Sequence, residues 1–419
     1  MREQTLPNGL RVLLQPQAHL RSAYFGVWVA SGSVFETDEN NGVSHFLEHI
    51  VFKGSETRSA LDIAQQTDRL GASVNAYTSK EYTHFYTRAL GEHITEAAEI
   101  LLDMLLHPRL DANDIETERG VILEEISMCE DDPGDLCYEL SESSLFSGSP
   151  YAFEILGSKQ SVAAMQPAQF RAQLDRCYTA KRIVIGVSGA FDETDILSLL
   201  ERTVGLLPPG NAPDYPALLC KQGIYLKKAR FEQTHLLLAL PGIPLEHPDL
   251  YTLQVVLFLL GTGASSRLNQ RIREQLGLVY QIDAWAGRYR TGGYLAVALS
   301  LGGANQKQAL FETCRILREL PQTITEDELL IAKEKLLSGL VMSREQPHNE
   351  MVSCGQQLLL KGHILSDEAL LQGIRNVTLP QAKDAAARYL DLKDASLTAV
   401  GQTKSKAFYQ AILSGEINT

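Results

Sequence analysis

The same order of strand and helix signals occurs twice in this chain, once on each side of a proline-rich segment near its middle. In the first half, the turn Leu6-Pro7-Asn8-Gly9 leads into a strand over 10–14, and a second strand covers 24–30. An apolar-periodic helix around 43–53 follows, then a helix opened by a Ser59/Asp62 capping box and closed at Gly71. Strands over 74–78 and 82–89 precede helices over 92–106 and 114–130, a strand over 182–188 and a helix from Asp192 to about 204. Leu206 to Pro216, with four prolines, reads as a linker. Beyond it, strands over 224–227 and 235–240, helices over 250–260 and 266–275, strands over 280–286 and 293–299 and a helix over 306–320 repeat the pattern. The second helix of this half stops at Gly277, as its counterpart stops at Gly71. A repeat of this length requires two similar domains. Strand runs followed by helix runs predict an α+β architecture, each half a mostly antiparallel sheet with helices packed on it. The expected division is 1–207, a linker over 208–222, and 223–419.

Composition narrows the function. A net charge of −13 argues against nucleic acid and anionic membrane surfaces as partners and mildly favours basic over acidic ligands, and it equally serves general solubility. The six cysteines form no C-x-x-C pair, and a chain of this size needs no disulfide staples, so they read as the reduced thiols of a cytoplasmic protein. No apolar run reaches the length of a membrane span, and the first residues show no signal peptide.

The second half reads as a diverged copy of the first that lacks the histidines. The first carries His45-Phe46-Leu47-Glu48-His49 inside its first helix, and the second has no histidines at the matching position. On a helix, His45 and His49 are four residues apart and share a face, the spacing two imidazoles need to grip one metal ion. Glu48 lies on that face too, within reach of a water at the metal, and suits a general base. Two imidazoles beside a carboxylate in this order, H-x-x-E-H, point to zinc. Val43, Phe46, Leu47, Ile50 and Val51 form the core-facing stripe that fixes the helix.

A catalytic zinc needs a third protein ligand. The helix over 115–126 offers Glu118 and Glu125, two turns apart on one face with Ile122 between them. Glu124, about 100° around the helix, competes with Glu125.

The segment Asn41-Gly42-Val43-Ser44-His45-Phe46-Leu47-Glu48-His49-Ile50-Val51-Phe52-Lys53-Gly54-Ser55 resembles the signature of the pitrilysin/insulinase metallopeptidase family. It is most similar to the half-length branch that includes the mitochondrial processing peptidases and their bacterial relatives. In that family a glutamate 76 residues after the second histidine is the third zinc ligand, and 49 + 76 = 125 is a glutamate here. The resemblance makes Glu118 a glutamate that tunes a ligand and Glu48 the base. Leu70 to Thr78 resembles the family's edge strand beside the metal, where Asn75 and Ala76 would bind substrate backbone by strand addition. Leu260 to Leu268, followed by Arg273 to Tyr280, resembles the region whose arginine and tyrosine hold the substrate carbonyl. Arg273 and Tyr280 fit that spacing, Arg271 is the rival, and Arg267 reads as structural. The glycine stretch at 261–263 lacks the Gly-Lys-Ser/Thr ending of a phosphate loop and is short beside that of processing-peptidase alpha subunits.

The resemblance implies a zinc endopeptidase whose tandem domains form half of a clamshell. The zinc motif and the arginine/tyrosine pair lie in different halves of the chain. Half-length relatives complete the site with a partner's second half, so a homodimer is expected, enclosing a chamber for peptides and unfolded segments. A non-catalytic subunit, or one dedicated to a single precursor, is the rival expectation.

Overall fold

The computed structural model describes residues 1–416. Two compact units emerge, and neither is contiguous in sequence. Among the described residues, the first comprises 1–126, 153–215 and 342–364; the second comprises 127–152, 216–341 and the described residues from 365 on.

The first unit is built on a six-stranded sheet. In chain order its elements are β1 (Arg2–Thr5), β2 (Arg11–Pro16), β3 (Ser22–Val29), α1 (Val43–Val51), α2 (Ala60–Arg69), β4 (Ser73–Thr78), β5 (Thr83–Leu90) and α3 (Ile94–Leu106). The long helix α4 (Ala112–Asp131) begins in this unit, and α5 (Pro133–Leu145) belongs to the second. The strand β6 (Ile183–Gly189) enters the sheet last, giving the order β1-β2-β6-β3-β5-β4. Only β2 and β6 run parallel. β4 pairs with β5 alone and forms one edge.

The second unit repeats this plan with β7 (Ile224–Lys228), β8 (Gln233–Pro241), β9 (Gln281–Arg288), β10 (Gly293–Gly302) and β11 (Ser396–Gly401) in the order β7-β11-β8-β10-β9. Its single parallel pair, β7 with β11, matches β2 with β6. The duplicated signals therefore fold into duplicated sheets. Each has its own apolar core, one gathering α1, α3 and the near face of the first sheet, the other gathering Leu250–Gly261, Gln306–Thr323 and the second sheet.

Ser59 caps α2 through the Asp62 N–H, and Asp62 returns the bond to the Ser59 N–H, as the sequence predicts. No helix or strand crosses 207–223. The segment expected as an α-helix over 266–275 is instead π-helical over Asn269–Gln275. A π-turn inserts one residue per turn, which a hydrophobic periodicity of 3.6 cannot reveal.

Each sheet also carries a helix drawn from the distant part of the sequence. Pro347–Lys361 lies across β3 and β6 of the first sheet. Trp28 on β3 is wholly buried beneath it. Gly26 and Gly186, paired across β3 and β6, leave room for the indole, and Gly355 lets the helix descend onto it. A Cβ at Gly355 would stand 2.6 Å from the Trp28 ring. Replacing Gly355 by alanine should therefore destabilise the protein by about 1–3 kcal/mol through overpacking. At Gly339, a helical glycine with nothing within 4 Å of its Cβ position, alanine should stabilise by about 0.5–1 kcal/mol. Thermal melts of the two variants would check the opposite signs.

On the second sheet, α5 is held by Glu142, a buried carboxylate. Its Oε1 accepts bonds from the hydroxyls of Tyr138 (2.9 Å), Tyr289 (2.9 Å) and Tyr294 (3.0 Å). A buried polar group needs such partners: Tyr289, just after β9, and Tyr294 on β10 tie α5 to its sheet while the helix lies across β8 and β11.

Candidate metal centre

The helix α1 is positioned by a carboxylate outside it. Its N-cap, Gly42, adopts φ 94°, a left-handed conformation suited to glycine, and offers no side chain to the first turn. Glu36 takes that role. Its carboxylate accepts the N–H groups of Gly42 (2.7 Å) and Ser44 (2.9 Å) and the Asn41 amide (3.0 Å). Full burial pushes the Glu36 carboxyl up, and those donors hold it back. Phe46, Leu47, Ile50 and Val51 then seat the opposite face of α1 in the core.

His45 and His49 emerge on one side of α1, their ring centroids 4.8 Å apart. The helix α4 packs Ile115, Ile122 and Ile126 inward and brings Glu118 and Glu125 to the same place. Glu125 Oε2 lies 3.8 Å from His45 Nε2 and 3.5 Å from His49 Nε2. One ligand atom from each of these three residues falls within 4.8 Å of the others. Glu124 is exposed and is not part of this cluster.

The hydrogen-bond pattern around these side chains fits a metal ion. Glu118, almost fully buried, receives Lys53 Nζ at 2.6 Å and holds His49 Nδ1 at 3.0 Å. A carboxylate only accepts, so Nδ1 of His49 donates to Glu118, and Nε2 is the ring nitrogen that faces Glu125 Oε2. Glu125 Oε2 takes no hydrogen bond among the described residues. Burial, and secondarily His49, pushes the His45 imidazole down to about 3, so this ring is neutral and can serve as a ligand. Two imidazoles and one carboxylate converging on one point suit zinc.

Glu48 sits beside this set. Burial raises its carboxyl, while a 2.6 Å bond from the Thr78 hydroxyl lowers it in part. Asn75 and Ala76 lie on the edge strand β4, Asn75 exposed and Ala76 half-buried. The first unit thus assembles His45, His49, Glu125, Glu118 and Glu48. Lys53 and Thr78 join them without having been singled out by spacing, because only the packing of α4 and the register of β4 reveal their partners.

Arg273 and Tyr280 belong to the second unit. Tyr280 is exposed, and the Arg273 side chain is half exposed with Glu274 as its nearest carboxylate at 4.0 Å. Arg271 instead binds Glu312 Oε2 at 3.2 Å, and Arg267 binds Glu328 at 2.6 Å, the structural part expected of it.

Removing Glu118 tests the support of His49. In Glu118→Ala, zinc affinity measured by chelator competition should fall about 10- to 100-fold.

Comparison with known proteins gives a consistent result. The family model described as insulinase, peptidase family M16, matches residues 11–159, and that of the peptidase M16 inactive domain matches 164–336. An uncharacterized zinc protease of Bacillus subtilis is 34% identical over 94% of this chain and 97% of its own length. An uncharacterized zinc protease of Mycobacterium tuberculosis is 36% identical, covering 93% of this chain and 90% of its own. Among solved structures, a peptidase M16 inactive domain from Pseudomonas fluorescens superimposes with a TM-score of 0.89 at 21% identity, covering 97% of this chain and 99% of that one. A protease from Helicobacter pylori superimposes with a TM-score of 0.87 at 18% identity over 96% and 99% of the two chains. Fold and sequence together define an M16-type tandem α/β protein. The chain belongs to the insulinase family, peptidase family M16, in its half-length form.

Proposed function

We propose that the protein is a zinc-dependent endopeptidase that hydrolyses peptides or unfolded polypeptide segments. The observation that carries this reading is the convergence of the two imidazoles and Glu125 beside the half-buried Glu48. The zinc proteases named among its relatives support it.

His45, His49 and Glu125 would hold zinc, which when bound would supply Lewis acidity toward water and a carbonyl. Glu118 keeps the His49 ring oriented through Nδ1. Glu48 accepts a proton from water as the water oxygen bonds to the scissile carbonyl carbon. It passes that proton to the amide nitrogen as the C–N bond breaks. An extended peptide pairs with the free edge of β4, and backbone groups of Asn75 and Ala76 hold it without reading its side chains. Arg273 and Tyr280 stabilise the oxygen that becomes negative.

The arginine/tyrosine pair acts on the zinc site of a second copy, in a homodimer that encloses a chamber for unfolded chains. The free cysteines support a cytoplasmic location, and no described helix is long and apolar enough to cross a membrane. The complete donor set stands against a non-catalytic subunit, and a peptidase dedicated to one precursor would use the same chemistry. A peptide-library digest by zinc-loaded protein, read by mass spectrometry, tests the activity. A library left intact by protein with bound zinc overturns it.

A further inference from the structure

Thr78 is the last residue of β4 and pairs with Thr83 at the start of β5. Its hydroxyl donates to Glu48 Oε2 at 2.6 Å, a short bond of the charge-assisted kind. Its main-chain N–H also reaches the same carboxylate. Thr83 is fully buried and donates its own proton to the Ser31 carbonyl at 2.8 Å, with its Oγ1 3.2 Å from that of Thr78. Glu48 Oε2, nearer than Thr83 Oγ1 and the stronger acceptor as a carboxylate, takes the single proton of Thr78, and the buried Thr83 backs Thr78 from the neighbouring strand. Threonine, branched at Cβ, adds a stiff χ1.

We infer that Thr78 is a positioning residue: it holds the carboxylate of Glu48 in place from the same strand that receives substrate. Ala76 and Thr78 are two residues apart on β4, about 7 Å along the strand. A peptide registered on the backbone of Ala76 is thereby registered against Glu48, because one rigid strand sets both. This rests on the reading of Glu48 as the base and of β4 as the docking edge. It adds how the two are held in register.

The test compares Thr78→Val, which keeps the shape and the main-chain N–H but removes the hydroxyl, with Thr78→Ser, which restores it. Crystal structures of zinc-loaded parent and variants should show the Glu48 carboxylate displaced in the valine protein and in its parent position in the serine protein. Peptide hydrolysis should show kcat lowered about 10- to 100-fold in Thr78→Val with KM within about twofold, and mostly recovered in Thr78→Ser. Metal content should be the same in all three. A Glu48 carboxylate that superimposes on the parent position in Thr78→Val overturns the inference, whatever the activity. So does an equal loss of kcat in both variants. A displaced carboxylate in a protein whose parent cleaves no peptide supports the positioning role and tells against the endopeptidase reading instead.

Discussion

Glutamine in place of Glu48 should leave about one zinc per chain and lower peptide hydrolysis roughly 100- to 10 000-fold. The substitution is isosteric, so the face of α1 that buries Phe46, Leu47 and Ile50 is untouched. None of the three converging ligand atoms comes from Glu48. Glutamine can still accept the Thr78 hydroxyl through its amide oxygen, but it cannot take a proton from water. The loss should therefore fall on kcat, with metal content measured by emission spectroscopy unchanged. Cleavage at the parent rate in a zinc-loaded variant would remove Glu48 from the reaction.

Mixing two inactive proteins should restore activity if the site is built across a homodimer. Glu48→Gln keeps Arg273, and Arg273→Ala keeps Glu48. In random equal mixtures about half of the dimers contain one chain of each kind. Each mixed dimer has one site with both parts intact and one with neither, so recovery should approach roughly a quarter of parent activity. Arg273 is well suited to this experiment. Its side chain makes no short ion pair that its loss would break, whereas Arg271 anchors Glu312. Native mass spectrometry establishes that mixed dimers form. Absence of recovery in a sample with demonstrated mixed dimers means that each chain carries its own complete site.

The sequence made some of this legible through local periodicity. A helix of 3.6 residues per turn must place His45, Glu48 and His49 on one side once Phe46 and Leu47 are buried. The capping box at Ser59 and the stop at Gly71 are equally local. The repeated order of signals foretold two sheets, and both have the same strand order apart from the added β1. The family resemblance supplied the interval to Glu125; helix geometry alone left Glu124 and Glu118 beside it.

Contacts between distant segments were not legible. That Glu118 binds His49 and Lys53 follows from how α4 lies against α1, which apolar burial of Ile115, Ile122 and Ile126 decides. Thr78 meets Glu48 because β4 pairs with β5 in one register, and a shift of one residue would turn Thr78 to the opposite face.

What the sequence by itself determined, then, is the duplicated α+β plan and the H-x-x-E-H face, since both are written in short-range spacing. Only the tertiary structure decided which lysine pairs with Glu118, which hydroxyl meets Glu48, and that Pro347–Lys361 and α5 each pack on the sheet of the other half's sequence. Those outcomes depend on side-chain volumes meeting across long loops, as Gly355 meets Trp28. No local propensity encodes such a meeting.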